Sequence, residues 1–269
     1  LIEGHNTRPK DIENALAGAE VEEATRPLAL EAKAHVIVQR EIDQMYFEGR
    51  LPLATSADFI SWVHRRFYEE MPDEFKFVER PDDTQIPIVP GAFRTEGDDD
   101  VVVGRHQPPS SSRVTAFMEH FSKRYKQARV GATNRVIAIA AAHHRLNFIH
   151  PFPDGNGRVS RLMSHAMALD AGIGGKGLWS ISRGLARGLH EKTEYKRMMD
   201  YADHSRMGDR DGRGNPSLKA LEAYCEWFLS VTLDQIKFSS AVVSFDRLES
   251  RYRNLISSVT DDKRAPDVI

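Results

Sequence analysis

The sequence predicts a mainly α fold with one short β-hairpin and a C-terminal helical extension. Apolar residues recur at helical spacing along most of the chain. Between residues 71 and 112 that period disappears, and Pro81, Pro87, Pro90, Gly91, Pro108 and Pro109 cut the chain into extended pieces, so the strands must lie there. Past residue 206 two more helical periods follow a glycine-rich turn. At 269 residues the chain can hold one large helical domain, or a core domain with a smaller extension.

Taken in order, Thr7, Pro9, Asp11 and Glu13 read as a helix start with acids in its first turns. Residues 27–47 carry Leu28, Leu30, Ala34, Val36, Ile37 and Ile42, and Gly49 with Pro52 closes that helix. Residues 56–70 place Phe59, Ile60, Val63 and Phe67 on one face, and His64 on the same helix reads as structural. The hairpin is expected at about 92–104, where residues 92–95 and 101–103 flank an acidic Glu-Gly-Asp turn. Helices resume over 112–126 and over 134–148, the latter capped by Asn134 and ending just before His150. His143 and His144 lack the ligand spacing of a zinc helix and read as hydrogen-bonding residues. Gly172, Gly174, Gly175 and Gly177 then form a flexible connection to Trp179 and to the helical runs that include Tyr195. The 208–216 stretch fails the spacing of a calcium loop and reads as a turn. Leu221, Cys225, Phe228 and Leu229 trace a long amphipathic helix, followed by a charged one from 243 to about 258.

Composition narrows the function. A formal charge of −2 gives no general case for nucleic acid, and the basic residues near the C-terminus are mixed with acids. No apolar run approaches a membrane span, and the start reads as neither a basic nor an apolar leader, so a cytoplasmic protein is expected. Cys225 is the single cysteine, which excludes an internal disulfide framework and reads as a core thiol. The chain opens inside what looks like a motif and ends without a clear stop, which reads as a piece of a longer protein.

The chemistry concentrates in residues 150–161, His-Pro-Phe-Pro-Asp-Gly-Asn-Gly-Arg-Val-Ser-Arg. Val159, Leu162, Met163 and Ala166 follow at helical spacing, so a glycine loop opens into a helix N-terminus, where unpaired N–H groups and the helix dipole favour an anion. Arg158 and Arg161 lie on one side of that helix and can grip phosphate oxygens. Asn156 can donate to a phosphate from its amide, and Gly155 and Gly157 let the backbone approach. Asp154 is a hard oxygen ligand suited to Mg²⁺. Phe152, between prolines, reads as an apolar anchor, and His150 is the natural general base. Neither the dinucleotide-binding glycine pattern nor the Walker lysine loop is present. A base beside a Mg-nucleotide cradle points to transfer onto a hydroxyl.

The pattern His-Pro-Phe-x-Asp-Gly-Asn-Gly-Arg-x-x-Arg resembles the signature of the Fic family at every fixed position. That resemblance implies a helical bundle with a β-hairpin flap and, most often, transfer of AMP from ATP to a protein hydroxyl. It makes His150 the base, Asp154 the Mg²⁺ ligand, and Gly155, Asn156, Gly157, Arg158 and Arg161 the triphosphate site. Tyr195 and Trp179 become candidates for the wall of the adenine pocket. The flap would pair with an extended segment of the target protein. Ile2-Glu3-Gly4 looks like the end of the family's inhibitory motif, which implies that Glu3 restrains the enzyme through Arg161. The division expected is an inhibitory and supporting helical segment over 1–55, a core over 56–205, and an extension over 206–269. Kinase-like relatives carry Lys where Gly157 stands. Removal of AMP, transfer of another phosphate-linked group, and a non-catalytic regulator are the alternatives, and the sequence does not choose between a monomer and a homo-oligomer.

Overall fold

The computed structural model describes residues 9–18, 25–79, 84–95, 100–127, 131–174, 179–242 and 244–259. Its helices are α1 (Pro9–Leu16), α2 (Arg26–Phe47), α3 (Ala57–Glu69), α4 (Val114–Gln127), α5 (Ala132–Ile149), α6 (Asn156–Asp170), α7 (Ile181–Arg187), α8 (Glu194–Ala202), α9 (Leu218–Val242) and α10 (Phe245–Val259). The mainly α expectation holds. Ser56 caps α3 by accepting from the Phe59 N–H at 3.2 Å. The helix α5 begins earlier than its expected Asn134 cap, after Gly131, whose φ of 85° suits a residue without Cβ.

Two apolar clusters organise the bundle. In the first, Ala34, Val38 and Ile42 of α2, one turn apart each, meet Phe59, Ile60 and Val63 of α3, Leu146 of α5 and Leu162 of α6. In the second, Ile139 and Ala140 of α5 meet Leu185 of α7, Tyr195 of α8 and Phe228 of α9, with Cys225 buried among them as a free thiol. The helix α5 therefore serves both clusters, and its C-terminal end, where Ile149 packs in the first, delivers His150. No helix among the described residues is long and apolar enough to cross a membrane.

A two-stranded sheet that the sequence reading did not include lies ahead of the expected flap at about 92–104, whose residues 96–99 lie outside the described residues. Strands β1 (Phe77–Glu79) and β2 (Gln85–Pro87) pair antiparallel, with Phe77 opposite Pro87, Val78 opposite Ile86 and Glu79 opposite Gln85. In the 92–104 stretch the described residues form no such ladder. Arg94 is 1% exposed and its backbone N–H donates to the Pro151 carbonyl at 2.8 Å, so this segment docks onto the signature loop. Val103 closes a tight turn on His106 through two backbone bonds of 3.0 Å. Arg94 is polar yet faces inward, which alternation around an acidic turn does not reveal. The strands β1 and β2 are three residues each, and β2 ends at Pro87, which a sheet edge tolerates.

Candidate active site

The turn between α5 and α6 is built by strain and by clamps. His150 caps α5 with φ 49° and ψ 60°, the single non-glycine residue with positive φ among those described. Gly155 caps α6 with φ 79°, and a Cβ there would lie 3.0 Å from the Tyr68 ring, so glycine is required for conformation and for close approach. Between them, Phe152 is fully buried as the expected anchor, stacked on His64 with ring centroids 3.9 Å apart. Asn156 clamps it: its Oδ1 accepts from the Phe152 N–H at 3.0 Å and its Nδ2 donates to the Phe152 carbonyl at 2.8 Å. This corrects the reading of the Asn156 amide as a phosphate donor. The side chain is 2% exposed and engaged at both ends, so only its backbone N–H, in the first turn of α6, remains suited to an anion.

His64 does more than fill the core. Its Nδ1 accepts from the Gly91 N–H at 2.8 Å, which puts the ring proton on Nε2, 3.3 Å from the Asp154 carbonyl. Burial lowers its pKa to about 4, consistent with a neutral structural imidazole. Tyr68 donates to Asp154 Oδ2 at 2.6 Å and fixes the carboxylate. Burial pushes the Asp154 pKa up, but the Arg158 guanidinium, the Tyr68 hydroxyl and the Gly155 N–H outweigh it and hold the carboxyl below its usual range. The Asp154 side chain stays 51% exposed, so it remains open to a further partner.

Arg158 spans three groups. Its Nη1 reaches Asp154 Oδ2 at 3.3 Å, its Nη2 reaches Glu31 Oε1 at 2.6 Å, and its Cζ lies 5.4 Å from the Phe67 ring centre. Arg161, three residues on, sits half-buried, and its charge helps to lower the pKa of both His35 on α2 and His143 on α5. The His150 imidazole is held near a pKa of 4, first by burial and then by the positive charge of Arg94, so it is neutral at physiological pH. Asp154 and Arg158, with Glu31, line an open cleft of about 530 Å³ together with Met71, Phe75 and the hairpin residues Phe77 and Val78.

The structure thus brings His150, Asp154, Gly155, Asn156, Gly157, Arg158 and Arg161 into one turn and helix start. It does not bring Tyr195 there as a nucleobase wall. Tyr195 is 7% exposed in the second cluster, where its hydroxyl meets His143 Nε2 at 2.8 Å, and Trp179 packs on the same cluster. His143 also meets Ser164 Oγ at 2.8 Å and His144 meets Asp203 at 3.1 Å, which supports the structural reading of both histidines. Among the described residues no group of three or more His, Cys, Asp or Glu could hold a metal ion. Glu3 lies outside the described residues. Sequence reasoning missed Tyr68, Arg94 and Glu31, which reach the loop from other segments. Only the polarity of Arg94 and Glu31 within otherwise apolar stretches hinted at them.

Comparison with known proteins agrees with this geometry. Residues 54–168 match the family model described as the Fic/DOC family. Over 86 residues, 32% of this chain, the sequence is 38% identical to Protein adenylyltransferase Fic of Aedes aegypti and 37% identical to its namesake of Drosophila melanogaster. The match spans 17% of the length of each of these relatives. Among solved structures, a Fic domain containing signaling protein from Bacteroides thetaiotaomicron superposes with a TM-score of 0.61 at 19% identity, over 88% of this chain and 81% of that one. Fic-1 from C. elegans superposes with a TM-score of 0.57 at 17% identity, over 89% and 61%. At these identities the superpositions speak for the fold alone. Residues 54–168 thus match the Fic/DOC family model, the 150–161 turn lies within that match, and the superpositions agree with it in fold.

Proposed function

We propose that this chain is a protein adenylyltransferase that moves AMP from ATP to a hydroxyl side chain of a target protein. The observation that supports it most is a neutral histidine, His150, joined by one short turn to a helix N-terminus that carries Asp154 and Arg158. Such a terminus attracts phosphate oxygens, and a neutral imidazole can take a proton. The target hydroxyl oxygen attacks the α-phosphorus in line and gives its proton to His150. The new P–O bond forms as the α–β bridging bond breaks, and pyrophosphate leaves. The backbone N–H groups of Asn156 and Gly157, with Arg158 and Arg161, would bind and orient the triphosphate.

The donor set fits Mg²⁺. Asp154 is a half-exposed carboxylate held in its charged form at the mouth of the cleft, and Mg²⁺ prefers one or two carboxylates with phosphate oxygens and water. When bound, the ion would offset charge on the phosphates and on the leaving pyrophosphate. An extended target segment would dock on the flap over about 92–104, whose Arg94 backbone lies against the signature loop at the Pro151 carbonyl. Self-inhibition by Glu3 belongs to this reading on the strength of the sequence resemblance.

Mass spectrometry tests the proposal. Incubation with ATP, Mg²⁺ and a cell lysate should add the mass of AMP to a Ser, Thr or Tyr of a target. Addition of phosphate alone, or no covalent addition by the chain and by an activated variant, would overturn it.

A further inference from the structure

We propose that Arg94 is a positioning residue of this site: its buried guanidinium fixes the left-handed His150–Pro151 turn from which the imidazole of the base departs. The inference rests on the reading of His150 as that base. Arg94 is the largest fully buried side chain among the described residues, at 1% exposure. A guanidinium removed from water needs acceptors, and the turn and its surroundings supply carbonyls. Its Nε donates to the His150 carbonyl at 3.0 Å and its Nη2 to the Pro109 carbonyl at 3.2 Å, while its backbone N–H holds the Pro151 carbonyl at 2.8 Å. Asp100 is the nearby carboxylate, 3.9 Å from Nη1. One residue therefore grips both carbonyls of the His-Pro pair.

That pair needs gripping. A left-handed residue after a helix is ordinarily glycine or asparagine, and here it is histidine. A residue before proline is also driven toward extended backbone, because the proline ring crowds helical conformations. Two local preferences oppose the geometry seen at His150, and such a conformation persists only where the surroundings over-determine it. The planar fork of arginine donates from separate, rigidly spaced nitrogens and so fixes two carbonyls relative to each other, whereas the ammonium of lysine donates from a single atom on a flexible stem. Arg94 also acts through its charge. The charged and titratable groups around His150 are Arg94, His106 and Asp154, and after burial Arg94 contributes most to keeping the imidazole neutral.

Two variants separate geometry from charge. Arg94→Met removes both, and Arg94→Lys keeps the charge without the fork. Each is compared with the parent chain by thermal melting, ATP affinity, kcat and KM for AMP transfer, and the NMR Cα shift and imidazole titration of His150. The proposal expects both folded variants to lose ~10- to 100-fold in kcat, the scale of a misplaced catalytic group, with ATP affinity little changed. The His150 Cα resonance leaves its left-handed position in both. The imidazole titration rises toward the ordinary 6.5 in Arg94→Met and stays low in Arg94→Lys. An unchanged kcat or an unchanged Cα shift in a folded variant overturns the proposal, as does a loss carried wholly by weaker ATP binding. If Arg94→Met does not fold, Arg94→Lys decides. If no chain, parent included, transfers AMP, the functional reading fails and the Cα shift alone decides whether Arg94 sets the turn.

Discussion

The 150–161 turn and the network behind it use the same side chains to opposite ends. In the turn, His150, Asp154 and Tyr68 stand beside a helix N-terminus, and the carboxylate is half exposed to a cleft. Behind it, His143, His144, Tyr195, Ser164 and Asp203 form an equally polar set, yet they face one another: His143 bonds Ser164 and Tyr195, and His144 lies 3.1 Å from Asp203. His143 and His144 have no exposed surface. Residue type does not separate chemistry from architecture here. What separates them is whether a polar group has a partner inside the protein or faces room for a ligand.

The sharpest way to break this contrast is at His150. Replacing His150 by Ala should lower AMP transfer by at least ~10²-fold while leaving ATP affinity nearly unchanged, the scale of a lost general base. A comparable rate in the variant would remove His150 from the chemistry. Next comes Asp154→Ala, which should weaken the Mg²⁺ response of ATP binding by at least ~10-fold, judged against even outer-shell losses at metal sites. An unaltered metal titration would place the ion elsewhere.

The sealed network should answer through stability. Tyr195→Phe leaves His143 Nε2 without its 2.8 Å partner and should cost about 1–3 kcal/mol in denaturant unfolding. ATP affinity and transfer rate should not move; a large loss of ATP affinity would restore Tyr195 to a nucleotide pocket. Acid should act on the same set. Burial lowers the pKa of His143 to about 3 and of His64 to about 4, so the unfolded chain binds more protons below 6.5. Stability from these neutral imidazoles is complete above 6.5 and is lost as pH falls toward the folded values. Melting temperature should therefore drop between pH 7 and pH 5, and a flat profile there would contradict their burial as neutral groups.

The smallest effect tests the cleft side. Glu31 holds Arg158 at 2.6 Å with its side chain 28% exposed, a pair worth up to about 1 kcal/mol, so Glu31→Gln should tighten ATP binding by up to about fivefold. Weaker binding would show that Glu31 helps the nucleotide. Glu3→Gly, measured beside it, should raise AMP transfer if the inhibitory motif operates, and equal rates would reject that part of the reading.

The turn was legible in the sequence because its residues are contiguous: base, carboxylate, glycines and arginines share one segment, and helical spacing after it marks the helix N-terminus. Phe152 was read as an anchor for the same local reason. The groups that hold the turn in place were not legible. Tyr68 lies on the buried face of α3, where an aromatic residue reads as core, and Glu31 on α2 reads as one more surface acid. Arg94 was taken into a strand because nothing local shows that it faces inward. The short sheet of β1 and β2 was not legible because three-residue strands beside prolines carry almost no periodic signal, whereas the acidic turn at 96–100 carries a strong one. Tyr195 was misassigned because a ring on a helix looks alike whether it faces a ligand or a buried histidine.

The central claim is that the 150–161 turn transfers the nucleotide's α-phosphoryl group, and incubation with ATP labelled at the α- or the γ-phosphate tests it most directly. The account predicts covalent label on protein from the α-position only, abolished in His150→Ala. Label from the γ-position, or α-label that survives the loss of His150, would contradict it.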